Sequence, residues 1–284
     1  MWLARRHSLV IISADSRQIY RRFDAGTAKP SVDAQASVEH RGIDVADAVE
    51  RWSAFRWAAD ASAWIAEARA RGLTPVVVGG TGLYVRALYD SSFEEPELSP
   101  ERREHLVRLL SRFSLSDIQR WCAALDPARA HLGRTQLLRA VEVALLAGHR
   151  LSDLHVTRRR PPRHRARYLV VDPGRTLGER IASRARTMLN GGWIDEVRRL
   201  ELEVPPDAPA WNSTGYRAVR SLVRGETTES KVFDRVVIET RQYAKRQRTW
   251  FRHQLPADGV TRIDPTADGW EEAVERWWSE EPAE

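Results

Sequence analysis

Two short β-branched runs govern what this chain can fold into. Residues 9–12 (LVII) stop at Ser13-Ala14-Asp15-Ser16, and residues 75–78 (PVVV) stop at Gly79-Gly80-Thr81. A compact apolar run closed by small or polar residues reads as a buried strand. Between the two lies an amphipathic helical stretch with Ser53 as N-cap, a body through Ala70 and Gly72 at the C′ position. A second helical stretch covers residues 81–88. Strand, helix, strand, helix is the order of a parallel α/β sheet, and residues 168–171 (YLVV) resume it.

Residues 93–165 break this alternation and read as helices only. Ser99-Pro100-Glu101 is an N-cap followed by proline at the first helical position, and residues 134–147 carry apolar side chains at helical spacing before Gly148. The predicted organisation is therefore an α/β core, residues 1–92 and 166–284, interrupted by a helical insertion, residues 93–165. The tract RRRPPRHR (158–165) is too charged to bury and, with two prolines, cannot be regular helix, so it reads as an exposed hinge or linker.

Composition narrows the function classes. With 284 residues, 42% hydrophobic and 30% charged, the chain is expected to be a soluble globular protein. No apolar run approaches the length of about 18 residues that a bilayer span needs, and residues 1–10 lack a secretory pattern, so a cytoplasmic location with no membrane partner is expected. The single cysteine, Cys122, excludes an intrachain disulfide and a cysteine-based metal cluster. No protein metal site is predicted. A net charge of +6 suits a polyanionic partner. Only Lys29, Lys231 and Lys245 among the 45 basic residues are lysines, however, a bias that reads as genome composition.

Asp15 follows a strand, where ligands of open parallel sheets bind, so it occupies the position of a general base. An isolated aspartate there equally suits a helix cap or a turn. Gly79-Gly80-Thr81 permits close backbone approach, with Thr81 able to cap the following helix. Arg241, Lys245, Arg248 and Arg252 fall at i, i+4, i+7 and i+11, on one helical face with Arg246 beside it. Such a face suits phosphates, although a charge run is usually only solvated. Trp250 and Phe251 offer stacking surfaces for unpaired bases, with Phe251 fitting a core role better.

Taken in order, SADSRQIY (13–20), GTAKP (26–30), HRGIDV (40–45), VVVGGTGLYVRAL (76–88), TQLLRAVEV (135–143), the arginine-rich stretch from Arg180 through Arg184 to Met188, STGYR (213–217) and ETRQYAKRQRTWFR (239–252) resemble the tRNA dimethylallyltransferases over nearly the whole chain. The resemblance implies a P-loop-type parallel sheet core with a helical tRNA-binding insertion. It implies transfer of a dimethylallyl group from dimethylallyl diphosphate to the exocyclic amine of the adenosine 3′-adjacent to the tRNA anticodon. By it, Asp15 is the general base and Arg184 handles the diphosphate. The implied tRNA contacts, with the anticodon stem-loop, are Asp15, Ser16, Arg17, Gln18, Thr81 and Arg103, then Thr135, Gln136, Leu137, Leu138 and Arg139. They continue with Asn212, Ser213, Thr214, Gly215, Tyr216 and Arg217, and end with Lys245, Arg246, Gln247, Arg248, Thr249, Trp250, Phe251 and Arg252. Thr81 would also hold the nucleotide once it is drawn out of the loop.

The family pattern begins with a strand, a GxxxxGK[ST] loop and a helix, in which loop amides and lysine hold phosphates and the hydroxyl holds Mg2+. That unit is absent here. Lys29, Lys231 and Lys245 follow Ala28, Ser230 and Ala244, so the sequence holds no Gly-Lys pair. A recorded start inside a longer reading frame is the expected explanation, with genuine loss of the unit as its rival. The cofactor expected from the resemblance is Mg2+. A monomer is expected. The rival readings are a non-catalytic tRNA-binding relative and a prenyltransferase of free adenine nucleotides; the insertion and the basic helix weigh against the latter, since a mononucleotide needs neither.

Overall fold

The computed structural model describes all residues except 90, 91, 94, 95, 97, 158, 161, 163, 257 and 281–284. It divides into two compact units, Met1–Leu88 with His164–Glu284, and Tyr89–Arg163. The sequence-based boundaries, 92/93 and 165/166, lie four and two residues further along the chain.

The first unit begins with β1 (Leu9–Ser13), α1 (Val32–Ser37), β2 (His40–Arg41), α2 (Ala54–Ala70), β3 (Thr74–Val78) and α3 (Gly82–Tyr89). The three strands form a parallel sheet in the order β2-β1-β3, with Leu9 opposite Thr74 and Ser13 opposite Val78. β1 is central, which is why Val10 and Ile12 are buried; full burial of one such side chain stabilises by about 1.5–3 kcal/mol. β3 lies at the edge of this sheet and Val78 at its end is half-exposed. α2 covers β1 and β3. Its Ser53 cap accepts from the Arg56 N–H, and Gly72 just beyond it takes φ +70°, as the sequence predicts.

The second unit contains β4 (Ser92–Phe93), α4 (Pro100–Leu110), α5 (Leu115–Leu125), α6 (Arg134–Ala147), α7 (Leu151–Thr157) and β5 (Arg159–Arg160). Ser99 caps α4, and Gly148 ends α6 in the left-handed conformation. The expectation of helices only needs correction, because β4 and β5 pair antiparallel. Arg159 and Arg160 thus gain ladder hydrogen bonds, which a charge-based reading of the tract as linker overlooks. Arg158, Pro161 and Arg163 of that tract lie outside the described residues.

The first unit resumes with β6 (Tyr168–Val171), α8 (Leu177–Met188), α9 (Ile194–Glu203), α10 (Tyr216–Val223), α11 (Glu229–His253), β7 (Val260–Ile263) and α12 (Trp270–Ser279). β6 pairs in parallel with β7 rather than with the β1 sheet. The sequence reading has no β7, since VTRI is four residues long with an arginine in it. α11 packs on α8 and α10.

Candidate active site

Asp15 stands two residues beyond the last residue of β1, and the ends of β1 and β3 are laced together around it. The Ala14 N–H donates to the Val78 carbonyl (2.8 Å) and the Thr81 N–H donates to the Ala14 carbonyl (3.1 Å). Glycine is required at position 79, because a Cβ there would lie 2.3 Å from the Ala14 carbonyl oxygen. Thr81 Oγ1 accepts from the Ser16 N–H (3.0 Å) and donates to Ser16 Oγ (3.3 Å). Asp15 Oδ1 accepts from the Arg17 N–H (2.8 Å). Burial raises the Asp15 pKa above the usual aspartate value, against the opposing pull of backbone N–H groups at Arg17 and Gln18 and of the Arg17 and Arg184 guanidinium groups. The residue nevertheless keeps part of its surface open. An accessible carboxylate with enhanced proton affinity is suited to take a proton from a weak acid.

Two further segments close on this loop. From α11, Gln247 Nε2 donates to the Gly80 carbonyl (2.9 Å), and the Trp250 ring occupies the place a Cβ on Gly82 would take, 2.3 Å away. Also on α11, burial pushes the Tyr243 phenol pKa up, with the Asp15 charge adding to the shift and hydrogen bonds to Thr81 and Gln247 opposing it. From α2, Trp57 Nε1 donates to the Ser13 carbonyl (3.0 Å), and its ring stacks on Tyr84 of α3 with centroids 4.7 Å apart and planes at 14°.

The family model described as IPP transferase matches residues 18–254. The chain is 40% identical over 256 residues to the tRNA dimethylallyltransferase of Thermosynechococcus vestitus, covering 88% of this chain and 80% of that protein. The chain belongs to the tRNA dimethylallyltransferase family. Among solved structures, the full-length tRNA isopentenylpyrophosphate transferase of Bacillus halodurans superposes with a TM-score of 0.67 at 28% identity, over 97% of this chain and 88% of that one. A eukaryotic dimethylallyltransferase crystallised acting on tRNA shares the fold, with a TM-score of 0.77 at 20% identity over 97% of this chain and 72% of that one.

Within the first unit, several of the blocks that carry the family resemblance meet in space. Gln18 accepts from Ser13 Oγ (3.0 Å) and donates to the carbonyls of Ala28 (3.2 Å) and Thr27 (3.4 Å), tying the GTAKP block to the Asp15 loop. Lys29 of that block is buried and holds Asp24, Asp44 and the Tyr20 carbonyl, each at 2.5 Å, so Asp44 joins the HRGIDV block to the same cluster. Gly26 abuts Trp193 and Tyr216 so closely that a Cβ would lie 2.2 Å from the indole nitrogen. Arg184 is exposed on α8 with its charge acting on Asp15.

The implied tRNA contacts fall in different settings. Tyr216 is fully buried and donates to Glu196 Oε1 (2.6 Å), while Glu196 Oε2 accepts from the N–H groups of Asp24 and Ala25. Its side chain braces the GTAKP loop through Glu196. Ser213 and Gly215 are buried as well, and the Gly215 N–H donates to Glu239 (3.2 Å). Of this block, Asn212 and Arg217 are exposed, Thr214 is half-buried, and Arg217 bonds Asn212. In α11, Gln247 and Trp250 are committed to the glycine loop, and Phe251 meets Trp250 edge-on at 5.0 Å. Arg248 pairs with Asp172 and donates to the Gly174 carbonyl (2.7 Å). Lys245, Arg246, Thr249 and Arg252 are exposed, Arg246 lying over the Tyr243 ring.

In the second unit, Thr135 and Gln136 are exposed at the start of α6 and Leu138 is half-buried. Leu137 is fully buried among Leu110, Ile118 and Val141, so its side chain serves the core. Arg103 and Arg139 converge on the buried Glu142 carboxylate at 2.9 and 3.2 Å. Tyr84 and Tyr243 around Asp15 escape the sequence reading. Both lie inside family blocks, yet a tyrosine at helical spacing carries no mark distinguishing it from core.

A cavity of about 280 Å³ lined by Trp211, Asn212, Arg217, Arg220 and Arg224 lies elsewhere, since neither Asp15, Thr81 nor Arg184 borders it. Arg220 and Arg224 there are both bonded to Glu201.

Proposed function

We propose that this chain transfers a dimethylallyl group from dimethylallyl diphosphate to the exocyclic amine of the adenosine immediately 3′ of a tRNA anticodon, in the cytoplasm and as a monomer. The observation that carries this reading is the Asp15 carboxylate, raised in pKa at the end of β1 with Arg17 and Arg184 acting on it. The amine nitrogen attacks the first carbon of the allyl group. A C–N bond forms, the carbon–oxygen bond to the diphosphate breaks, Asp15 takes the N–H proton, and the diphosphate leaves with the bonding pair. Arg184 is the cation assigned to the charge developing on that leaving group. The exposed Lys245, Arg246, Arg252, Asn212 and Arg217 are the groups assigned to tRNA phosphates.

The family resemblance implies Mg2+ on the diphosphate. Among the described residues no group of three or more His, Cys, Asp or Glu side chains could hold a metal ion. Mg2+ commonly takes one or two carboxylates together with substrate phosphates, and Asp15 is already assigned to the proton. No side chain among the described residues is assigned to the ion.

The test is incubation of the full-length protein with dimethylallyl diphosphate and an anticodon stem-loop, followed by mass analysis of the nucleosides. The expected product is one prenylated adenosine at the position 3′ of the anticodon. Prenylation of free adenine nucleotides with none in the RNA would contradict the reading, as would RNA binding without transfer.

A further inference from the structure

Within the second unit, α6 carries a carboxylate at a core position. Leu137, Ala140, Val141 and Val143 are buried, and Glu142 between the last two is only 5% exposed. A buried ion pair seldom stabilises a fold more than a well-packed apolar side chain of similar volume would, so stability does not account for the charge. Its partners are two arginines. Glu142 Oε2 accepts from Arg103 Nε of α4 (2.9 Å) and from Arg139 Nη1, three residues earlier on α6 (3.2 Å). One negative charge thus gathers two positive ones that would repel each other without it. The cluster keeps a surplus of positive charge.

That surplus meets water at Arg103. The Arg103 side chain is 48% exposed, against 20% for Arg139. It gives Glu142 only its Nε, and among the described residues nothing takes its two terminal nitrogens. A guanidinium pinned at Nε offers those nitrogens as a planar fork, the shape that meets two oxygens of one phosphate. An arginine free in water loses rotamer freedom when it binds, and one already held loses less.

We propose that Glu142 is a positioning residue for RNA: it holds Arg103 so that the terminal nitrogens take a backbone phosphate of the bound tRNA, while Arg139 cancels the repulsion between the carboxylate and that phosphate. The family resemblance assigns Arg103 and Arg139 to tRNA and gives Glu142 no part. A phosphate contact fixes the position of the RNA and carries no sequence preference. The proposal deepens the tRNA reading above and rests on it.

The experiment measures the affinity of the full-length protein for an unmodified tRNA at several salt concentrations, with a melting curve for every variant and binding read well below the lowest midpoint. Glu142→Gln makes the protein more positive, so charge alone would tighten RNA binding. The proposal expects the opposite. Affinity should weaken about 10-fold, and the log–log salt slope should flatten by about 0.9 for a duplex contact or about 0.7 for a single strand. Arg103→Lys keeps the charge on a half-exposed side chain but loses the Nε bond and the fork. It should lose most of the affinity that Arg103→Ala loses, at an unchanged melting temperature. In the Arg103→Ala background, Glu142→Gln should cost little more, because it acts through that side chain. In transfer assays KM for tRNA should rise in step with Kd while kcat holds. Equal or tighter binding by Glu142→Gln overturns the proposal, as does an Arg103→Lys variant that binds like the wild type. A full 10-fold loss from Glu142→Gln in the Arg103→Ala background also overturns it, since the carboxylate then serves only the packing of α4 on α6. A wild type that binds tRNA and transfers nothing defeats the functional reading, and the binding series still decides this proposal; a wild type that does not bind tRNA overturns both.

Discussion

The two faces of α11 follow the same spacing and do different work. Tyr243, Gln247 and Trp250 fall at i, i+4 and i+7 and press onto the Gly79–Gly82 loop beside Asp15. Arg241, Lys245, Arg248 and Arg252 fall at i, i+4, i+7 and i+11 on the other side. Periodicity marks both stripes equally, so spacing alone does not say which one serves chemistry. Contacts do. The aromatic and amide stripe is committed to a loop with no room for a Cβ, whereas only some of the basic stripe is engaged: Arg248 with Asp172, and Arg241 with the Gly178 carbonyl. One stripe thus builds the active site, and the other leaves Lys245 and Arg252 in solvent.

The comparison breaks most sharply at Asp15. Asp15→Asn keeps the shape and the bond from the Arg17 N–H but removes the base, and loss of a general base costs about 10²- to 10⁴-fold in rate. Transfer kinetics and tRNA affinity measured on the same variant should separate, with affinity little changed. Next in size is Gly79→Ala. Its Cβ would meet the Ala14 backbone at 2.3 Å, and forced overpacking of this kind costs about 1–3 kcal/mol. The melting temperature should drop and turnover with it; an unchanged melting curve would show that the strand ends are not held as tightly as the contacts imply.

The basic stripe predicts smaller and divided effects. Lys245→Ala and Arg252→Ala should weaken tRNA binding and each lower the log–log salt slope by about 0.9 if the contact is to duplex, about 0.7 if to single strand, at constant melting temperature. Arg248→Ala should instead lower the melting temperature slightly, because it removes the Asp172 ion pair and the bond to the Gly174 carbonyl. Equal salt slopes for all three variants would erase the distinction drawn within this stripe.

The core sheet was legible in the sequence because β1, α2 and β3 have local signatures: β-branched runs, the Ser53 cap and Gly72. The short pairs β4–β5 and β6–β7 were less so, since pairing between distant four-residue or two-residue segments leaves no periodicity. At the site, Asp15 and Thr81 were legible from their places after strands. The burial of Tyr216, Ser213 and Leu137 was not, because a motif string gives order along the chain and says nothing of which side chains face inward. Glu196, which takes the Tyr216 hydroxyl and two backbone N–H groups, lies in no motif and had no sequence signal at all.

The smallest expected effect concerns stability. Burial raises the Asp15 pKa in the folded protein. The native state therefore holds that proton more tightly than the unfolded chain, and stability falls as pH rises through the window from the ordinary aspartate value up to the folded one. Asp15→Asn removes this cost. Its melting temperature should exceed that of the wild type at neutral pH, and the gain should vanish in acid below the ordinary aspartate range, where the carboxyl is neutral in both states. A variant that is less stable at every pH would mean that the carboxylate is a structural anchor.

The central claim is that Asp15 removes the proton of the attacking amine, and the single-turnover rate of transfer to an anticodon stem-loop as a function of pH tests it most directly. The account predicts a rate that falls on the acid side through one ionisation lying above the ordinary aspartate value of 3.8, and a residual rate in Asp15→Asn from which that limb has disappeared. The same acid limb persisting in Asp15→Asn, or a variant that turns over at the wild-type rate, would contradict it.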